Sequence, residues 1–466
     1  MDQREVHEAC GVVALTDLDE LAPELAVAAL FSLQHRGQES AGVASVDGEG
    51  LQLERGMGLV AEVFPTGRPQ GLAGAMAIGH VRYSTSGSPS LENAQPFTFR
   101  SHFGTFALAH NGNLVNAMEL RQRLEGEGAI FQTTTDTEVV AHLIAHSRRP
   151  TLEEAFHEAL LQVRGGYAMV LLWKGGLMGV RDPLSLRPLV FGQRPGRAAL
   201  VSESCALVAL DLPLIDDVAG GELVTIDNQA QLRRHPGFLV AGPENLCSFE
   251  YIYFARPDSV IAGRTVQTVR RRLGEELARE APAVADIVVG VPDSSLPAAE
   301  GFARTLGLPL EQGLAKNRYV GRTFIQPSQG ERELAIRLKL VPVGEVIRGR
   351  RVALVDDSLV RGTTASHLVR LLRQAGASEV HLRIASPPYR HPCHYGIDTS
   401  NREELVATGR DEATIARWVG ADSLAFLSAE GVGRAIGRPG CMACFTGRYP
   451  LSVAGAGAKR AAEVGR

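Results

Sequence analysis

The chain has 466 residues, 45% hydrophobic and 21% charged, with a formal net charge of −4. That balance is typical of a globular protein and argues against nucleic-acid or membrane-surface partners. The length exceeds what one hydrophobic core normally serves, so two or three domains are expected. No apolar run approaches a membrane span, and residues 1–8 are charged where a secretory signal would be apolar. A cytoplasmic location is therefore expected. Structural disulfides are rare there, so the six cysteines should be core fillers, metal ligands or nucleophiles.

In chain order, a charged leader (residues 1–9, expected to be a removed propeptide) precedes Cys10, which opens an apolar strand at residues 11–15. Within a longer chain such a cysteine is usually a buried small hydrophobe. With the leader removed, Cys10 would carry an α-amine of pKa about 7.7–8.0, able to act as general base for its own thiol. Its companions are residues 34–42 (QHRGQESAG), 79–85 (GHVRYST), 110–113 (HNGN) and 135–138 (TDTE). Glycines beside polar residues at strand ends let backbone N–H groups approach a substrate closely.

Together these motifs resemble the N-terminal-nucleophile (Ntn) class II glutamine amidotransferases. The resemblance implies a four-layer αββα sandwich, with helices outside two stacked antiparallel sheets. It implies Cys10 as the nucleophile on the glutamine side-chain amide, with Asn111 and the Gly112 N–H as the oxyanion hole. Arg82 would grip the glutamine α-carboxylate and Asp136 the α-amino group. The likeness continues through residues 164–169 and 181–189, where Ser185 stands in place of the family's usual glycine. An altered local turn is expected there, without loss of activity. Cys205 reads as a core residue.

The polar stretch at residues 233–237 (RRHPG) reads as a linker, giving a first domain at 10–235 and a second at 236–466. From about Cys247 strands and helices alternate, which implies a parallel sheet. Residues 286–291 read as a strand, followed by an Asp- and Ser-rich loop at 292–297. A basic stretch starts at Lys316 and continues past Arg332 to Arg337 and Lys339, with Gly321 and Gly330 as hinges. A second apolar strand, residues 352–355, ends in Asp356 and Asp357. The helix that follows has Ala365, Leu368, Val369 and Leu372 on one face and ends at Gly376.

A helix N-terminus bearing threonine hydroxyls suits a phosphate, and paired carboxylates suit ribose hydroxyls or phosphate-bound Mg²⁺. The order of these residues resembles the phosphoribosyl pyrophosphate (PRPP) motif of the type I phosphoribosyltransferases, an α/β fold. The resemblance implies PRPP binding by Asp356, Asp357, Ser358, Arg361, Gly362, Thr363, Thr364 and Lys316. It implies Mg²⁺ at Ser294, Asp356 and Asp357, pyrophosphate at the 292–297 loop, and a lid in the basic stretch.

Cys441-Met-Ala-Cys444 lacks a thioredoxin-type context and favours a metal. With Cys247 and Cys393, four thiolates suit Zn²⁺ or an iron–sulfur cluster, and spacing does not separate the two. Both halves, in this order, resemble the glutamine PRPP amidotransferases. The cysteine contexts match the cluster-bearing branch, implying a [4Fe-4S] cluster, with His394 where an aromatic residue is more usual.

The implied reaction turns glutamine, PRPP and water into 5-phosphoribosylamine, pyrophosphate and glutamate, the first committed step of purine synthesis. The family further implies internal ammonia transfer, purine-nucleotide feedback and a homotetramer. Two alternatives stand beside it. A glucosamine-6-phosphate synthase shares the first half, but the acidic-pair motif argues against it. A PRPP-sensing regulator would need a nucleic-acid-binding module and no glutaminase half.

Overall fold

The computed structural model describes residues 10–83, 90–317, 340–397, 399 and 402–452. The leader and the lid stretch after Asn317 lie outside the described residues.

Among the described residues the first half is built on thirteen strands: β1 (Gly11–Asp17), β2 (Ser40–Val46), β3 (Leu51–Met57), β4 (Met76–Arg82), β5 (Phe97–Ser101), β6 (Gly104–Leu114), β7 (Gly165–Trp173), β8 (Gly176–Arg181), β9 (Val190–Arg194), β10 (Arg197–Val201), β11 (Leu214–Asp217), β12 (Leu223–Ile226) and β13 (Leu232–His235). They form a seven-stranded sheet, β11-β9-β10-β1-β4-β2-β3, and a six-stranded sheet, β13-β12-β8-β7-β6-β5. Side chains alternate across each strand. On β1, Val13 and Leu15 pack with Val27 and Leu30 of the helix Ala22–Ser32. Val12 and Ala14 point the other way, against Ala107, Val170 and Leu172 of the second sheet. Burial on both faces explains why the strand is continuously apolar.

The helices Thr137–His146 and Leu152–Leu160 cover the outer face of the six-stranded sheet through Leu108, Tyr167, Met169 and Leu171. The result is the expected order of helix, sheet, sheet, helix. The polar stretch at 233–237 is only partly a connection. Its first residues belong to the edge strand β13, which pairs in register with β12. Arg234 is engaged there by Glu222 and Asp216. An edge strand with one wet face tolerates such charge, which is why it read as a linker.

In the second half, four parallel strands run in the order Ile287–Gly290, Arg351–Asp356, Glu379–Ile384, Ser423–Phe426. Ala353 and Val355 pack on one face with Leu273 and Phe302, from the helices Val266–Glu280 and Leu296–Leu306. Val352 and Leu354 pack on the other with Leu368 and Ile415, from Thr363–Gln374 and Glu412–Val419. Helices on both faces leave the carboxyl ends of the strands as the open edge, where ligands bind in such sheets.

Candidate active sites and a thiol-lined cavity

Cys10 sits at the head of β1, buried, with its thiol donating to the Tyr83 carbonyl at 3.4 Å. Burial pushes the thiol above its ordinary value, so it needs a base before it can attack. One cavity is lined by Cys10, Arg82, Gly112 and Asp136, together with Gln95 and Thr135. The strands β1, β4 and β6 and the N-terminus of helix Thr137–His146 supply these groups. Four of the five glutaminase residues expected from sequence therefore meet.

The fifth, Asn111, lies beside Gly112 but not on that lining. Its side chain is fully buried, and neither amide atom has a hydrogen-bond partner among the described residues. A buried amide left unpaired costs about 1–3 kcal/mol, which a developing oxyanion would offset on the N–H side. Gly112 has φ +143°, and a Cβ there would meet the Gly166 oxygen at 2.0 Å, so only glycine fits.

Asp136 is oriented by the Leu114 N–H, which donates to its Oδ2 at 2.8 Å. Gln95, which belongs to none of the motifs, accepts from the His110 N–H at 2.7 Å. Nothing in its sequence surroundings separates it from an ordinary proline-containing turn. His80 donates through Nε2 to the His110 carbonyl at 3.1 Å, and burial depresses its pKa to about 3, keeping it neutral.

At the open edge of the parallel sheet, Ser295 Oγ donates to Asp356 Oδ1 at 2.8 Å. Ser294 Oγ donates to Asp357, and Ser358 Oγ does so at 2.6 Å. The loop after Ile287–Gly290 and the acidic pair are therefore one unit, as expected. Burial raises the Asp357 pKa, opposed by the serine hydroxyls and by Arg270. Lys316 pairs with Asp293 of the same loop. Arg361 is held by Glu404 at 2.8 Å. Thr363 and Thr364 form the first turn of helix Thr363–Gln374, behind Gly362 at φ +78°.

A Cβ on Gly362 would lie 2.4 Å from the Trp418 ring. Gly362→Ala should therefore weaken PRPP binding and cost about 1–3 kcal/mol of stability. PRPP titration and thermal melting of the variant check this, and an unchanged melting temperature would contradict it.

Cys247, Cys393, Cys441 and Cys444 line a single cavity, with Arg187 and Tyr395. None is in a disulfide. Backbone pairing between Cys247 and Cys441 brings together residues far apart in sequence. The Tyr395 N–H donates to Cys393 Sγ at 3.4 Å. Burial raises the Cys441 thiol to about 12 and pushes the Cys247 and Cys444 thiols up as well. Three buried thiols and the half-buried Cys247, with one guanidinium, fit a cationic metal core, which would deprotonate them on binding. Among the described residues no group of three His, Cys, Asp or Glu side chains is arranged to hold a single metal ion.

The His394 ring packs on Tyr449 at 4.9 Å rather than lining the cavity, and its carbonyl accepts from Asn113 Nδ2 at 2.9 Å. Ser185 adopts φ +57°, the left-handed conformation for which glycine is the usual choice. The turn is closed by the Ser185 N–H, which donates to the Asp182 carbonyl at 2.9 Å. Cys205 is buried in the core beside helix Ala22–Ser32.

A feature no motif announced is a buried ionic quartet between the halves: Arg36, Glu203, Glu250 and Arg187, each side chain no more than 1% exposed. Glu250 and Glu203 keep the Arg36 guanidinium charged despite its burial.

Fold and sites together define a two-headed enzyme, a glutamine amidotransferase joined to a phosphoribosyltransferase. Models of the glutamine amidotransferase domain and the phosphoribosyl transferase domain match residues 80–209 and 262–387. The chain is 47% identical over 456 residues to the amidophosphoribosyltransferase of Bacillus subtilis, covering 96% of this chain and 95% of that one. It is 49% identical over 457 residues to the enzyme of Archaeoglobus fulgidus, covering 96% and 99%. The solved glutamine PRPP amidotransferase of Bacillus subtilis, complexed with ADP and GMP, superposes with a TM-score of 0.90 at 47% identity, over 96% of this chain and 98% of that one. The chain belongs to the amidophosphoribosyltransferase family. Its reaction is the conversion of glutamine, PRPP and water to 5-phosphoribosylamine, pyrophosphate and glutamate in purine biosynthesis.

Proposed function

We propose that the two sites carry out this reaction with the residues gathered above. Cys10, freed of residues 1–9, gives its thiol proton to its own α-amine and attacks the glutamine amide carbon. Asn111 and the Gly112 N–H receive the developing oxyanion, a contact worth roughly 3–4 kcal/mol per donor in comparable acyl transfers. Arg82 and Asp136 hold the α-carboxylate and α-amino group. Ammonia departs, and water then releases glutamate from Cys10. Support comes from Cys10, Arg82, Gly112 and Asp136 lining one cavity.

In the second site Asp356 and Asp357 fix the ribose. Ser358, Arg361, Gly362, Thr363 and Thr364 cradle the 5-phosphate, with Lys316 and the 292–297 loop at the pyrophosphate. Mg²⁺ held by Ser294, Asp356 and Asp357 would neutralise the leaving pyrophosphate. Ammonia passes between the sites inside the protein, since in water at neutral pH it would be protonated and lose its nucleophilicity. We divide the chain into 10–235 and 236–466, a reading supported by the last strand of the antiparallel sheets ending at His235.

For the thiol cavity we favour [4Fe-4S], supported by four thiols around one space. Feedback by purine nucleotides is supported by a relative solved with ADP and GMP. A homotetramer and a cytoplasmic setting complete the reading; six unpaired cysteines fit the latter, and among the described residues no helix is long and apolar enough to cross a membrane.

The reading as a whole is tested by consumption. Purified protein should use glutamine and PRPP in equal amounts and release pyrophosphate; failure to consume either overturns it. Anaerobically purified protein should contain iron and acid-labile sulfide in equal amounts. A colourless, zinc-containing preparation would contradict the cluster.

A further inference from the structure

Arg36 donates through Nε to the carbonyl oxygen of Cys10 at 3.1 Å. Its other two nitrogens grip both oxygens of Glu250, at 2.9 and 2.8 Å. Glu250 comes from the second half of the chain, 214 residues away, and Arg187 also donates to it, at 3.2 Å. Such a two-pronged fork fixes the plane and position of a guanidinium, which a single contact does not.

Glu250 opens a single turn of π-type helix, Glu250–Phe254. Turns of this kind are rare and frequent at functional sites. Arg270 secures the turn from the other side, donating at 2.8 Å to the carbonyls of Tyr251, Tyr253 and Ala255. Arg270 also lies within electrostatic reach of Asp357 in the PRPP motif.

We infer that Glu250 is a positioning residue for the glutaminase, supplied by the phosphoribosyltransferase half, and that it sets the main chain of Cys10 through Arg36. The glutaminase constellation is thereby completed across the junction. A nucleophile whose own amine is the base tolerates little displacement, because rotating the Cys10 backbone moves thiol and amine together. Among the described residues the side-chain partners of Glu250 are Arg36 and Arg187, not Arg82 or Asp136, so its loss lowers kcat for glutamine and leaves KM alone. This inference rests on Cys10 as the nucleophile, which Cys10→Ala tests separately.

The experiment uses the full-length protein with two variants. Glu250→Asp keeps the charge but shortens the reach; Glu250→Gln keeps the shape but removes the charge. Three quantities are compared: glutamine-dependent turnover, ammonia-dependent turnover, and the rate at which a glutamine-analogue electrophile labels Cys10. Glu250→Asp is expected to retain wild-type melting within a few degrees. Its glutamine kcat and Cys10 labelling should fall roughly a hundredfold, with glutamine KM and ammonia-dependent turnover within about twofold of wild type. Glu250→Gln should show the same split wherever it folds. If Glu250→Asp loses both activities in parallel, or labels Cys10 at the wild-type rate, the quartet is merely structural and the inference is overturned. Labelling lost in Cys10→Ala but retained in Glu250→Asp would sink this inference alone.

Discussion

Replacing Cys10 by alanine is expected to abolish glutamine-dependent synthesis, a loss on the order of 10⁶ if it matches nucleophile knockouts in other acyl-transfer enzymes. Ammonia-dependent synthesis should persist at high ammonium and alkaline pH, because none of the groups around Asp356 and Asp357 depends on the thiol. The thiol is buried, and Arg82, Gly112 and Asp136 share its cavity. Pyrophosphate release from PRPP, measured with either nitrogen source, reads both activities in one assay. Equal loss of the two would contradict the division of labour between the halves.

The second large effect belongs to Asp357. Its carboxylate accepts from Ser294 and Ser358 while standing almost out of solvent. Asp357→Asn removes the charge but nearly keeps the shape. PRPP-dependent turnover should drop by about two to three powers of ten with glutamine and with ammonia alike, as when one preorganised charge contact is lost. Stability should move the other way. Burial raises the Asp357 pKa above its usual 3.8 in the folded chain. Between those two values the native state binds a proton that the unfolded state has released, so stability falls as pH rises through that window. Asp357→Asn removes this fall, and the ligand-free variant should melt at or above the wild-type temperature at neutral pH. A variant with full activity, or one that melts well below wild type, would contradict this account of the site.

Much of this architecture could be read from residues alone because the relevant signals are local. The run at 11–15 and the apolar face of Ala365, Leu368, Val369 and Leu372 carry their own periodicity. Cys10, Gly112 and Asp356–Asp357 sit in short strings whose order is chemically specific. Long-range pairings were hidden for the opposite reason. Arg36 reaches Glu203 across 167 positions and Glu250 across 214, and in sequence each looks like an ordinary solvated charge. Gln95 orders the His110 backbone through a contact only the fold creates. The stretch 233–237 misled because an edge strand with a wet face shares its composition with a connection. Ser185 shows a milder case: the backbone there takes the left-handed conformation that glycine favours, although the residue is serine.

The central claim is that one chain frees nitrogen at its first site and delivers it to the second without exchange with solvent. The most direct measurement supplies amide-¹⁵N glutamine and PRPP in the presence of excess unlabelled ammonium at mildly alkaline pH, then follows the isotope in 5-phosphoribosylamine. Internal delivery predicts product carrying predominantly ¹⁵N, whatever the size of the ammonium pool. Product whose isotope ratio follows the pool would mean that the nitrogen escapes before it reacts, contradicting the claim.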